Sequence, residues 1–352
     1  MLGLLILIIF SVILIPKIGY TKSFEDSAIS LQTSQNIKGV LCIAIFFNHF
    51  TGWFPNQDPV MYMFVHCGTL VVSVFFFLSA YGLRKRYAAS PMSFVELIKR
   101  LLFLMIPYWI CEAVYCAVST AFDIPIKVAV NPKNIIISAF ALVDRSEIVE
   151  NAWFVTAILA MYIIFFIAYK YSPLKNKTLF FAVLFIIVTV ISKGKWITSS
   201  VAFLLGVIIA DYESEIYRLL KNKYMLLFLS VGALTVVGFA MKFVGQYLNK
   251  SIIMDLSDMV TSVSFSLFVY ILVCRVKIGN VITKFLSKIS YEVYLIHGLM
   301  IRISYRMWGL ENRIMFCLTA LALTIAASFI INFITAQIKR AFNKPKKAQT
   351  AD

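Results

Sequence analysis

Eleven apolar runs, each roughly 15–23 residues long and set off by short polar segments, constrain this chain more than anything else in it. They cover 2–16, 39–54, 65–83, 101–121, 152–169, 178–192, 196–210, 224–243, 257–274, 289–308 and 314–336. A bilayer core about 30 Å thick takes about 17–25 helical residues to cross. Inside it every backbone N–H and C=O must be satisfied within the protein, and none of the runs alternates as a barrel strand does. The sequence therefore predicts an all-α, polytopic transmembrane helical bundle of about ten to eleven spans. The runs 178–192 and 196–210 are short, so they either draw on their flanks or form a re-entrant hairpin. Composition agrees: 61% of the 352 residues are hydrophobic and 14% charged, against about half and a quarter in soluble domains.

The net charge of +16 would raise nucleic acid as a partner in a soluble protein. Here the basic residues fall in short clusters between apolar runs, which is topological information. Alternate loops hold 23 of the 33 lysines and arginines, among them Lys17, Lys22 and Lys38, then Arg84 to Arg100, then the tail from Lys339 to Lys347. That side is cytoplasmic by the positive-inside rule, which places the N-terminus outside and the C-terminus inside. The first run has no basic residue before it, carries Lys17 after it and lacks a small-x-small cleavage site, so it reads as a retained anchor. The expected organisation is an anchor and linker over 1–33, a membrane domain over 34–336, and a basic cytoplasmic tail over 337–352 suited to anionic lipid headgroups. The segment 134–143 is too short to span and is expected as an interfacial or re-entrant helix on the outer side. Six cysteines, all within or beside apolar runs and without ligand spacing, read as packing residues; no metal site is expected.

A titratable side chain in hydrocarbon costs about 2.5–3.5 kcal/mol or more, so each one calls for a partner or a function. The candidates are His49, His66, His297, Glu112 and Glu292. Lys38 and His49 lie eleven residues apart, which at about 100° per residue puts them within about 20° of one helix face and about 16 Å apart along the axis. With Lys38 at the cytoplasmic boundary, His49 falls near the midplane. A basic anchor for an anionic ligand then shares a face with a group able to exchange protons near neutral pH. A hydrogen-bonded structural histidine and an interfacial lysine would fit the same spacing. His66 is expected as a solvated loop residue at the outer edge.

Several stretches together resemble the membrane acyltransferase family known as acyltransferase 3. Lys38 and His49 match its basic residue followed after ten residues by histidine. FFFLSAYG supplies Phe76, Phe77 and Ser79 of its FF-x-x-S-G run, with Ala80 in place of glycine. IKRLLFLMIPYW supplies Lys99, Arg100, Pro107 and Tyr108, with Phe103 where many members carry a second arginine. Trp153 and Phe154 match its aromatic helix entry, and SYEVYLIHG over Ser290 to Gly298 is similar to its late S-Y-x-x-Y-L-x-H signature. The resemblance covers about 34–335.

The resemblance implies transfer of an acyl group, acetyl by default, from acetyl-CoA or another acyl-CoA, with no cofactor bound permanently. Its phosphates would be held by Lys38, Arg84, Arg86, Lys99 and Arg100, although plain topology explains the same basic clusters. His49 would act as general base, with Glu112 or Glu292 as a carboxylate partner. Ser79, Trp153, Tyr294 and His297 would orient donor or acceptor. The acceptor is expected to be an outward-facing glycan or lipid-linked sugar at the plasma membrane. No appended esterase-like domain is expected, so a separate extracytoplasmic transferase or a second copy of the chain is a candidate partner, besides membrane lipids. The rival class is a transporter or exporter of a glycan or lipid precursor. Paired half-repeats with broken helices would favour it, and none is found. A non-catalytic sensor or assembly component is a third class.

Overall fold

The computed structural model describes residues 2–14, 18–20, 29–141, 148–192 and 196–343. Ten of the eleven apolar runs fall largely within one helix each among the described residues, and the run 65–83 crosses the break between two helices. In chain order the elements are α1 Leu2–Leu14, β1 Ile18–Tyr20, α2 Leu31–Thr51, α3 Pro59–His66, α4 Gly68–Ala89, α5 Phe94–Phe122 and α6 Pro132–Ala139. There follow α7 Trp153–Tyr171, α8 Lys177–Ile191, α9 Ile197–Asp211, α10 Glu213–Tyr247 and α11 Ser251–Val273. The last are β2 Val276–Ile278, α12 Val281–Lys288, α13 Ser290–Trp308 and α14 Arg313–Phe342. Lys17, Lys22, Lys344, Lys346 and Lys347 lie outside the described residues, as do residues 142 and 143 of the expected outer helix.

At α2 and α5 the helix starts run ahead of the apolar runs because polar caps decide them. The Ser30 hydroxyl accepts from the Thr33 amide at 3.1 Å, so α2 begins eight residues before its apolar run. Ser93 and Glu96 exchange hydrogen bonds at 3.2 and 2.8 Å in a capping box, so α5 begins at Phe94 rather than 101. Within α10 the backbone breaks at Lys223, where the expected span starts.

Five helices, α5, α7, α10, α11 and α14, are long and apolar enough to cross a membrane; α3 and α4, bent by 44° at their junction, add a sixth when taken as one. Helices α1, α8 and α9 are apolar but shorter. The protein is thus nearly all helical, with the helices of a multi-pass membrane protein.

The chain divides into two compact units. The first comprises Met1–Leu97 with Trp153–Lys288. In it β1 and β2 pair antiparallel, Ile18 opposite Ile278, tying the segment after α1 to the segment after α11. The short helix α12 packs on the first half of α2: Thr283 Oγ1 donates to Asn36 Oδ1 at 3.0 Å, and a Cβ at Gly39 would stand 2.0 Å from the Thr283 carbonyl oxygen. Only glycine allows that approach. The segments joined this way were all assigned to one side by their basic residues. At the other end, Asp58 caps α3 through the Met61 amide and also accepts from the Gly3 amide, both at 3.0 Å, which fastens α1 to α3.

The second unit comprises Ile98–Ala152 with Ile289–Asp352. Here α6 lies along α5, where Tyr108 and Trp109 donate to the carbonyls of Ser138 and Ala139 at 2.8 and 2.7 Å. Arg302 on α13 holds Glu150 at 2.6 Å, and the Leu299 amide donates to the Tyr115 hydroxyl at 3.0 Å.

Candidate functional site

His49 occupies the last turn of α2, two residues before its end, and is half-buried. Phe46, Phe47 and Phe50 around it are fully buried, so the helix terminus is set in an apolar surround. The neighbouring residue anchors it: Asn48 Nδ2 donates to the carbonyl oxygens of Phe64 and Val65, both at 2.8 Å. These carbonyls belong to the last turn of α3; that of Phe64 also accepts from the Cys67 amide at 3.2 Å, whereas Asn48 supplies the partner of Val65. The C-terminal end of a helix carries partial negative charge, which stabilises a nearby cation by about 0.3–1 kcal/mol. Lys38, on the same helix, is half-buried, and among the described residues no acceptor is paired with it.

Where α4, α7, α8 and α9 end or begin, a polar network forms in the first unit. Asp211 accepts from the hydroxyls of Tyr169, at 2.8 Å, and of Thr178, and it forms an ion pair with Arg84. The Arg84 guanidinium lies over the Tyr169 ring, 4.9 Å from its centre. Tyr87 and Lys177 both donate to the Tyr169 carbonyl, at 3.0 and 2.9 Å. Beside this network Glu213 accepts from Tyr81 and pairs with Lys85 at 2.6 Å, while Arg86 turns outward to Glu96 at 3.7 Å. Arg84 and Arg86, neighbours in the expected phosphate cluster, thus serve different partners. Arg84, Lys175, Lys177, Tyr87 and Tyr169 line a cavity of about 560 Å³.

Ser79 is half-buried on α4. One residue on, Ala80 stands at a close crossing with α9: a Cβ at Gly206 would be 2.4 Å from the Phe77 carbonyl oxygen and 2.9 Å from the Ala80 Cβ. The glycine missing at position 80 is supplied by the facing helix. Trp153 opens α7 with its ring 6.3 Å from that of Phe76. His66, expected as a solvated loop residue, is instead the last residue of α3, with its ring 4.6 Å from Tyr62 and 5.0 Å from Phe243. Its apolar neighbours on α3 carry it inward.

The remaining candidates lie in the second unit. Glu292 is buried on α13 and accepts from Asn332 Nδ2 at 3.0 Å. Glu112 is buried on α5 with Ser138 beside its carboxyl. Tyr294 donates to the Asn151 carbonyl at 2.7 Å. The Nδ1 of His297 lies 2.9 Å from the Val293 carbonyl oxygen, which assigns its proton to that nitrogen in the neutral ring. Lys99 lines a largely apolar cavity of about 320 Å³ with Phe103 and Trp109, and Arg100 is half-buried one residue on. Phe103, in place of an arginine, receives the Lys339 ammonium over its ring at 5.4 Å.

Sequence reasoning missed Asn48, Asp211, Glu213, Lys175 and Lys177 as contributors. The two carboxylates follow an apolar run in the segment DYESE, where counting only cations passes over them. Asn48 adjoins the histidine, and a polar residue at that depth was the signal that pointed to it.

A family model described as an acyltransferase domain matches residues 34–333. No curated protein and no solved structure matches the chain.

Proposed function

The chain belongs to the acyltransferase 3 family, a membrane acyltransferase by that membership, and from this premise we propose that it acylates an outward-facing hydroxyl with acyl-CoA as donor. The donor is cytoplasmic, its acyl group is acetyl, and the acceptor is a hydroxyl of an extracytoplasmic or lipid-linked glycan. The observation that carries the proposal is His49, a half-buried titratable group at a helix end held inside an apolar layer by Asn48. In this scheme the unprotonated ring nitrogen of His49 takes the acceptor's hydroxyl proton as the oxygen attacks the thioester carbonyl. The tetrahedral adduct collapses, the C–S bond breaks, and the CoA sulfur leaves, taking the proton from the imidazolium. The transient imidazolium is favoured by the terminal carbonyls of α2. Lys38, lower on the same face, offers a cation toward the donor.

The eleven apolar helices form eleven spans on this proposal: α1, α2, α8, α9 and α13 join the six long segments, with the basic ends cytoplasmic and the N-terminus outside in the plasma membrane. The polar character of α2 and α13 fits interior helices, whose residues face protein rather than lipid. Replacing His49 by alanine should lower acyl transfer by about 10²–10⁴-fold, the usual worth of a general base. Membrane insertion and yield should hold. The assay is transfer of labelled acetyl from acetyl-CoA to cell-surface glycan, read by mass spectrometry; undiminished acylation in H49A sinks the role.

A further inference from the structure

The cavity at the ends of α4, α7, α8 and α9 is built from charges that the proposed chemistry does not otherwise use. Three cations, Arg84, Lys175 and Lys177, face one carboxylate, Asp211, so the lining keeps a net positive charge. The carboxylate has its own duty, holding Arg84, Tyr169 and Thr178 in place. Lys175 and Lys177 are exposed, and among the described residues no carboxylate is paired with either. A volume of about 560 Å³ exceeds what a lone phosphate fills and lies in the range of sites for nucleotide-sized ligands. Tyr212 borders the cavity and is 44% exposed, an aromatic face open to a planar base.

We propose that this cavity holds the phosphorylated nucleotide of the donor, with Lys175 and Lys177 on its phosphates, Arg84 as a fixed wall and Tyr212 against its base. The inference rests on the acyl-CoA reading and assigns the nucleotide to one place within it. Arg86, committed to Glu96 and exposed, has no part in it. An anionic lipid headgroup presents the same phosphate chemistry, so the test separates the two sources.

Protein purified into phosphatidylcholine nanodiscs is titrated calorimetrically with CoA, dephospho-CoA and ADP. The unaltered protein should bind all three. The exposed pair Lys175→Gln with Lys177→Gln should weaken CoA binding by about tenfold or more for each ammonium removed. A control pair with the same loss of charge, Lys221→Gln with Lys223→Gln, should bind CoA as before. Tyr212→Ala should weaken ADP, which tests the base contact separately. If CoA binds and the 175/177 pair leaves its affinity unchanged, this assignment falls while the donor reading stands. Equal weakening in the control pair overturns it as well, since the effect then comes from the general field of the basic end. If none of the nucleotides binds the unaltered protein, the acyl-CoA reading itself fails. Melting raised by phosphatidylglycerol only when Lys175 and Lys177 are present, without nucleotide binding, assigns the cavity to a lipid headgroup and overturns the nucleotide proposal.

Discussion

Asn48→Ala tests whether the histidine's neighbour sets its position. Both amide hydrogens of Asn48 are spent on α3, at 2.8 Å to each of two carbonyl oxygens. Losing two such bonds costs about 1 kcal/mol each, and a Val65 carbonyl left without its partner in a poorly hydrated layer raises the total to about 2–4 kcal/mol, while Phe64 keeps the Cys67 amide. Little can fill the gap, because the residue opposite is Gly68, packed so closely that a Cβ there would lie 2.7 Å from Asn48 Oδ1. In a chain of this size that corresponds to a melting temperature lower by about 3–5 °C. The helix end carrying His49 should lose its orientation with it, so transfer falls further than stability alone explains. Asn48→Asp should be worse, since it turns carboxylate oxygens toward two carbonyl oxygens. A thiol-reactive dye suits the melting assay, because Cys42, Cys111, Cys274 and Cys317 are buried and are exposed on unfolding. Acetyl transfer is then measured well below both melting points. Melting within about 1 °C of the unaltered protein, together with full activity in N48A, would refute the reasoning.

Asp258→Asn should destabilise by about 2–4 kcal/mol, because it strands Lys242, now paired with Asp258 at 2.9 Å with both side chains mostly buried. Changing both together to Met and Leu should cost little, and a double variant as unstable as the single one would count against the pair's isolation. Gly206→Ala should cost about 1–3 kcal/mol in melting experiments, because α4 and α9 must separate to admit the methyl group. Partial burial pushes the Asp58 carboxyl up, but the Met61 and Gly3 amides outweigh this and hold it below its ordinary value. A lowered folded value means its contribution is complete above the ordinary carboxylate pKa of about 3.9 and fades as pH falls through the folded value. Hydrogen exchange of α1 and α3 should therefore accelerate below about pH 4, and be fast throughout in Asp58→Ala; slow exchange in that variant would show the carboxylate to be idle.

Ten of the eleven apolar runs fell largely within single helices because burial in lipid demands long uninterrupted apolar stretches, and these dominate local pattern; the run 65–83 instead crosses the bend between α3 and α4. What the pattern did not disclose was short or polar. The eight-residue helix α12 is too brief and too mixed to stand out, yet it supports α2 through Thr283. The start of α2 at Leu31 depends on Ser30, and a cap is invisible to a search for apolar runs. At the site, the eleven-residue spacing from Lys38 to His49 survives because one uninterrupted helix carries both. The assignments to Arg84 and Arg86 were less secure, since loop charges are partnered by residues remote in sequence: Arg84 meets Asp211, 127 residues later. Nothing local distinguishes a cation reserved for a ligand from one already neutralised.

The pairing of Ile18–Tyr20 with Val276–Ile278 bears on how the chain is assembled. A strand made near the start finds its partner only after some 250 further residues have been synthesised, on the order of ten to fifty seconds at cellular rates. Through that interval its backbone donors and acceptors wait without their partner strand, open to other edges. Closure of the first unit is therefore a late event, and the strand pair records that the early and late thirds of the chain have come together.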